Sequence, residues 1–221
     1  IIDTDDQIRL IKNICKAENI DVKQISPRYI LAIIDRWKNK GYYPNEVLIN
    51  HKDIFEKTIL PIYKIYQQKL VDLNSCDFGD LILHVVKILE KNSDIKRIYS
   101  KNFKYILVDE YQDTNFIQSK WLNLLAEDNN NICCVGDDDQ SIYSWRGAEI
   151  KNFLEFDKVY KNTKIIRLEE NYRSTQNILS VASDLIANNQ NRIGKTLKTS
   201  MEEGDLIQLS CFKNGKDEAI G

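Results

Sequence analysis

Long apolar runs, metal-binding cysteine spacings and any large excess of charge are all missing from this chain of 221 residues. The longest uninterrupted aliphatic run, Ile30 to Ile34, is five residues, against about 20 for a membrane span and roughly 7 to 15 for the core of a signal peptide. The sequence therefore predicts neither. Five cysteines without C-x-x-C spacing and only two histidines, His51 and His84, argue against a zinc site or disulfide framework. They point to reduced, buried thiols in a cytoplasmic protein. Lys and Arg total 31 against 33 Asp and Glu, a net charge of -2. Contact with nucleic acid must then be local rather than a bulk electrostatic effect. Alanine is scarce at 7 beside 31 isoleucines, 23 lysines and 21 asparagines, a bias assigned to genomic base composition and to no function. Internal repeats and low-complexity linkers are absent too.

What is present suits one or two compact units. Hydrophobic residues at 43% and charged residues at 29% supply a core and a solvated surface. Thr4-Asp5-Asp6-Gln7 has the form of a capping box ahead of the stripe Ile8, Ile11, Ile14, Cys15. Ser26-Pro27 is an N-cap followed by proline at the first helical position, Ile30, Ile33, Ile34 and Trp37 share a face, and Gly41 ends the helix. A third helical pattern runs from about Lys52 to Leu73, with Pro61 either kinking it or marking its start. A fourth runs from Phe78 to Lys91.

After Asn102 the texture changes to alternating strands and helices, the mark of a parallel α/β sheet. Strands are expected at Lys104 to Val108, Ile132 to Val135, Lys164 to Leu168 and Leu206 to Cys211. Helices are expected at Asn115 to Ala126 and Thr175 to Asn188. Charge follows the same division: residues 1–102 carry 17 basic and 14 acidic residues, residues 103–168 carry 8 and 11.

Three clusters carry chemistry. Asp109 and Glu110 stand at the C-terminal end of an expected strand, where parallel sheets bind ligands. One carboxylate there can hold Mg²⁺ while its neighbour activates a water, although acidic pairs also occur in surface loops. Val135-Gly136-Asp137-Asp138-Asp139-Gln140 again follows a strand. Gly136 permits a tight turn and the Gln140 amide can sense a phosphate, the alternative being a solvated acidic loop. Tyr143, Trp145 and Arg146 come next, two aromatics and a guanidinium suited to stacking on unpaired bases, unless Trp145 is a core residue. In the third cluster, Glu169 to Thr175, Tyr172 and Arg173 lie at a strand-to-helix turn. Arg173 there can stabilise a transferring phosphoryl group or simply pair with Glu169 or Glu170.

Taken in order, D-E-Y-Q-D-T-N at Asp109 to Asn115, V-G-D-D-D-Q-S-I-Y-S-W-R-G-A at Val135 to Ala148 and L-E-E-N-Y-R-S-T at Leu168 to Thr175 resemble motifs II, III and IV of the UvrD/PcrA/Rep-type superfamily-one DNA helicases. The resemblance runs from Ile2 through the Asp77-Phe-Gly-Asp-Leu segment to the end. It implies an α/β fold: a helical insertion domain (1–102), the second half of a RecA-like motor domain (103–168) and the beginning of a second RecA-like domain (169–221). It implies a motor that uses ATP and Mg²⁺ to move on single-stranded DNA and to open single-strand/duplex junctions, in repair or replication, with repair proteins as possible partners. Asp109 would hold Mg²⁺, Glu110 would activate water, and Gln140 would link the γ-phosphate to the DNA track. Tyr143 and Trp145 would pack on bases with Arg146 in support, Tyr172 would stack on adenine, and Arg173 would reach the γ-phosphate.

The phosphate-cradling loop G-x-x-x-x-G-K-[ST] is not in the chain. Gly194-Lys195-Thr196 has Asn189 where the earlier glycine is needed and follows a helix rather than a strand. The expectation is an internal helicase segment, monomeric and inactive alone. Asp77-Phe78-Gly79 matches a kinase tripeptide without the accompanying kinase loops. Two rivals remain: a carboxylate-metal nuclease built on Asp109, Glu110 and Asp113, and a non-catalytic DNA- or protein-binding module within residues 1–102.

Overall fold

A computed structural model describes residues 1–48, 54–190 and 192–220, which divide into two units, Ile1–Lys161 and Asn162–Gly221. In the first unit, α1 (Thr4–Ala17) is capped by Asp3, whose carboxylate accepts the Asp6 N–H at 2.9 Å. The cap is thus one residue earlier than the sequence suggested, and Gln7 is buried instead of closing a box. A carboxylate satisfies the free N–H groups and the positive end of the helix dipole together, which a Thr hydroxyl does not. Helix α2 (Pro27–Asn39) follows its expected limits: Ser26 Oγ accepts the Tyr29 N–H, and the chain leaves through Gly41 at φ 78°. Helix α3 (Ile54–Asp72) runs through Pro61, so the proline does not mark its start; the start expected at Lys52 lies outside the described residues. Helix α4 (Phe78–Lys91) has the limits expected, with a capping box between Asp77 and Asp80.

The stripes of α1, α2 and α3 meet in one core of Ile11, Ile14, Ile30, Ile34, Trp37, Ile59, Ile62, Tyr63 and Tyr66. Each isoleucine removed from water there contributes about 1.5–3 kcal/mol. Beside this core lies a buried ionic cluster. Lys38 Nζ sits 2.6 Å from Asp77 and 2.7 Å from Asp80, Tyr66 donates to Asp77, and Gln67 donates to Asp80. The tripeptide Asp77-Phe78-Gly79 is therefore a helix cap around a buried lysine. Asp35 packs nearby, and its carboxyl is pushed up to about 6, first by burial, then by the charge of Asp77.

A helix absent from the expectation, α5 (Ser93–Asn102), follows. Its buried Ser100 donates to the Leu124 carbonyl at 3.2 Å. Next come β1 (Ile106–Val108), α6 (Phe116–Ala126) and β2 (Ile132–Cys134). β1 and β2 pair in parallel, Ile106 with Ile132 and Val108 with Cys134. The α/β reading is correct in kind, with each strand shorter than expected. Helix α6 packs on α4 through Ile117, Leu83 and Val86, joining the helical segment to the sheet. Short helices α7 (Ile150–Leu154) and α8 (Phe156–Val159) complete the unit.

In the second unit, α9 (Gln176–Ile186) and α10 (Gly215–Ile220) are helical. The strands expected at 164–168 and 206–211 do not form; a single parallel bridge joins Glu170 and Lys198. Apolar residues recur in both stretches, but Leu168, Leu206 and Leu209 are 77–92% exposed, and a strand requires a paired neighbour. Gly194-Lys195-Thr196 lies in irregular chain after α9. Against the expectation of buried thiols, only Cys15 is buried, while Cys133 and Cys211 are exposed. Among the described residues no helix is long and apolar enough to cross a membrane.

Candidate active site

β1 ends at Val108, and the chain turns at once. Asp109 and Glu110 are exposed. Glu110 adopts left-handed backbone at φ 51°, ψ 40°, which is uncommon for a residue with a Cβ and costs of order 1–3 kcal/mol that surrounding contacts have to offset. Several contacts do. Asp109 Oδ1 accepts the Glu110 N–H at 2.9 Å, and the Tyr111 N–H reaches the Val135 carbonyl at 3.0 Å. Tyr111 and Gln112 are buried in a 3-10 turn that also includes Asp113. The Tyr111 ring packs against Phe153 and Phe156, and burial pushes its hydroxyl up. Two carboxylates thus face solvent while the two following side chains anchor the turn.

Gln112 connects this turn to the one leaving β2. Its Nε2 donates to Glu110 Oε2 at 2.8 Å, and its Oε1 accepts the Asp137 N–H at 3.0 Å. Asp137 in turn accepts the Asp139 N–H and the Gln140 amide, the latter at 2.8 Å. Gly136 supplies space rather than an unusual backbone angle: a Cβ there would lie 2.6 Å from Gln112 Oε1 and 2.8 Å from the Phe153 ring. Asp109, Glu110 and Gln140, expected as neighbours in function, therefore stand on two turns joined by one buried amide. Gln112 falls within the D-E-Y-Q-D-T-N stretch, but its partner Asp137 is not legible there; a glycine two residues past β2 is the other local signal.

Asp137, Asp138 and Asp139 are the one trio of His, Cys, Asp or Glu ligands within 4.8 Å among the described residues. Asp109, Glu110 and Asp113 do not gather into such a trio.

The same loop continues into the aromatic group. Trp145 is 78% exposed, which rules out the core-tryptophan alternative. Tyr143 and Trp145 have ring centroids 6.5 Å apart, and the Arg146 guanidinium lies 5.4 Å from the first and 5.6 Å from the second. Gly147 closes the turn at φ 93°. The Glu149 N–H and the Asn152 amide both donate to the Thr114 carbonyl, holding the loop against the start of α6. An exposed indole and a half-buried phenol, their planes tilted by 51°, lie beside one guanidinium, a grouping of π-faces and a cation whose chemistry suits stacking.

In the second unit, Tyr172 is 84% exposed and Arg173 is exposed. Asn171 Oδ1 accepts the N–H groups of Arg173 and Ser174, fixing the turn into α9. Glu169 instead accepts the Thr196 N–H, and Glu170 accepts from Ser200. Among the described residues neither pairs with Arg173, so the surface ion-pair alternative is not realised.

The UvrD/REP helicase N-terminal domain family matches residues 1–161, and the UvrD-like helicase C-terminal domain family matches residues 166–220. The chain is 47% identical over 220 residues to a probable DNA helicase II homolog of Rickettsia conorii, covering 99% of this chain and 34% of that protein. It is 43% identical over 221 residues to the ATP-dependent DNA helicase PcrA of Bacillus subtilis, covering 100% of this chain and 30% of that one. It is 42% identical over 219 residues to DNA helicase II of Escherichia coli, covering 99% and 30%. The chain spans about a third of the length of the curated relatives it matches.

Proposed function

Because the chain belongs to the UvrD/Rep family of DNA helicases, we propose that the protein to which it contributes uses ATP hydrolysis to translocate on single-stranded DNA. It separates duplexes at single-strand/duplex junctions, as part of repair or replication in the cytoplasm and in contact with repair proteins. The observation that carries this reading is the hydrogen-bonded line from Glu110 through Gln112 to Asp137 and Gln140. It leads along the same loop into the Tyr143, Trp145 and Arg146 platform.

Glu110, exposed and held at the strand end, accepts a proton from the water that attacks the γ-phosphate. Asp109, a hard oxygen donor beside it, suits Mg²⁺, which when bound neutralises phosphate charge. Gln140 donates its amide to the γ-phosphate, giving up its bond to Asp137. That exchange is local, and the aromatic platform lies only a few residues further along the loop, so phosphate loss shifts the side chains that grip bases. Tyr143 and Trp145 stack on bases with Arg146 in support. Tyr172 stacks on adenine and Arg173 stabilises the transferring phosphoryl group. In this reading residues 1–102 form the helical insertion, 103–168 the second half of the first motor domain, and 169–221 the opening of the second.

The 221-residue segment contains no G-x-x-x-x-G-K-[ST] loop and, as a monomer, neither hydrolyses ATP nor unwinds DNA alone. The test compares phosphate release by the full-length protein and by the segment, with and without single-stranded DNA. DNA-stimulated release from the full-length protein only is expected. Release insensitive to DNA, or full activity in the segment, overturns the reading.

A further inference from the structure

Gln112 is 1% exposed, and the side chain of a buried glutamine has to place one acceptor oxygen and two donor hydrogens. It spans the turns after β1 and β2, donating to Glu110 Oε2 at 2.8 Å and accepting from the Asp137 N–H at 3.0 Å. Both bonds bear on groups whose position matters more than their contribution to stability. The first holds the carboxylate of a residue with left-handed backbone at φ 51°. The second fixes the residue whose own carboxylate holds Gln140 at 2.8 Å. Gly136 clears the space this amide needs: any Cβ there would stand 2.6 Å from Gln112 Oε1.

Resting on the reading of Glu110 as general base, we infer that Gln112 is the positioning residue for hydrolysis, aiming the Glu110 carboxylate through Nε2 and tying it through Oε1 to the Asp137 turn that carries Gln140. Its two ends are chemically separable. Gln112→Glu keeps an acceptor for the Asp137 N–H but puts a like charge against Glu110. Gln112→Leu removes both bonds at similar volume. A group that acts through Glu110 has nothing further to lose once Glu110 cannot take a proton, whereas a residue that only supports the fold adds its cost in any background.

The experiment measures single-turnover and steady-state ATP hydrolysis, saturated with single-stranded DNA, in the full-length protein. The variants are Gln112→Leu, Gln112→Glu and Glu110→Gln, together with the two combinations of a Gln112 change with Glu110→Gln. Thermal unfolding and nucleotide binding are followed in parallel. Each Gln112 variant is expected to lower kcat by about 10- to 100-fold, the scale of a misplaced reacting group, with KM for ATP within about threefold of wild type. Neither is expected to lower kcat further in the Glu110→Gln background. If Gln112→Leu does not fold, Gln112→Glu decides by the same comparison. Wild-type kcat in a folded Gln112 variant, or losses that multiply in full with those of Glu110→Gln, overturns the inference while leaving Glu110 as base. Undiminished turnover in Glu110→Gln overturns the underlying reading itself.

Discussion

Gln112 Oε1 lies where a Cβ on residue 136 would come within 2.6 Å of it, and it takes the N–H of the next residue, Asp137, at 3.0 Å. The turn after β2 is therefore shaped around a side chain from the turn after β1. Gly136→Ala forces either Gln112 or the Phe153 ring aside. A loss of roughly 1–3 kcal/mol in stability is expected, the usual cost of overpacking. Urea unfolding measures it, and Phe153→Leu in combination should recover part of it; an alanine variant as stable as wild type removes the crowding argument.

Glu110→Gln keeps shape and the possibility of a hydrogen bond while removing the proton acceptor. In the full-length protein, hydrolysis should fall by about 10²–10⁴-fold and binding of a fluorescent ATP analogue should be retained. Turnover at the wild-type rate takes the base role away from Glu110.

Trp145→Ala deletes most of an exposed platform. Affinity for single-stranded DNA should drop by roughly 1–3 kcal/mol, read by fluorescence anisotropy of a labelled oligonucleotide. Arg146→Ala should cost less and flatten the salt dependence, since it removes a cation. Superimposable titrations for the Trp145 variant and wild type exclude that indole from the DNA path.

Asp35 carries a pH signature for the helical segment. Its carboxyl is raised to about 6 in the fold by burial and by Asp77, above the ordinary value near ~3.9. The folded state thus binds the proton more tightly than the unfolded state. Its stabilising contribution is complete below about pH 4 and is lost as pH climbs through about 6. Asp35→Asn should melt at a higher temperature than wild type at pH 7.5, with the gap closing by pH 4.5. A gap that does not vary with pH contradicts the assignment.

Helices α2 and α4 match their expected limits because their ends are written in local chemistry: Ser26 with Pro27, Asp77 with Asp80, and Gly41 beyond α2. Helix α1 begins at Thr4, but its cap is Asp3 and not Thr4: both are good candidates and only geometry chooses. Helix α5 is not legible in the sequence because it buries little apolar surface and is held by Ser100 to a carbonyl 24 residues away. The stretches at 164–168 and 206–211 show the converse limit. Apolar residues supply the material for a strand, but pairing is a property of two segments, which neither sequence alone contains. At the site, the acidic and aromatic residues were legible as types at fixed spacings after strands. The Gln112 bridge was not, since its meaning depends on Asp137, 25 positions downstream.

The three tryptophans occupy contrasting surroundings: Trp37 is sealed in the helical core, Trp121 is half-covered on α6, and Trp145 stands in water. Iodide or acrylamide will therefore quench chiefly the emission of Trp145, with the other two as a shielded background. An oligonucleotide that settles over that indole will protect it, so occupancy of the loop can be followed by intrinsic light from the unlabelled polypeptide.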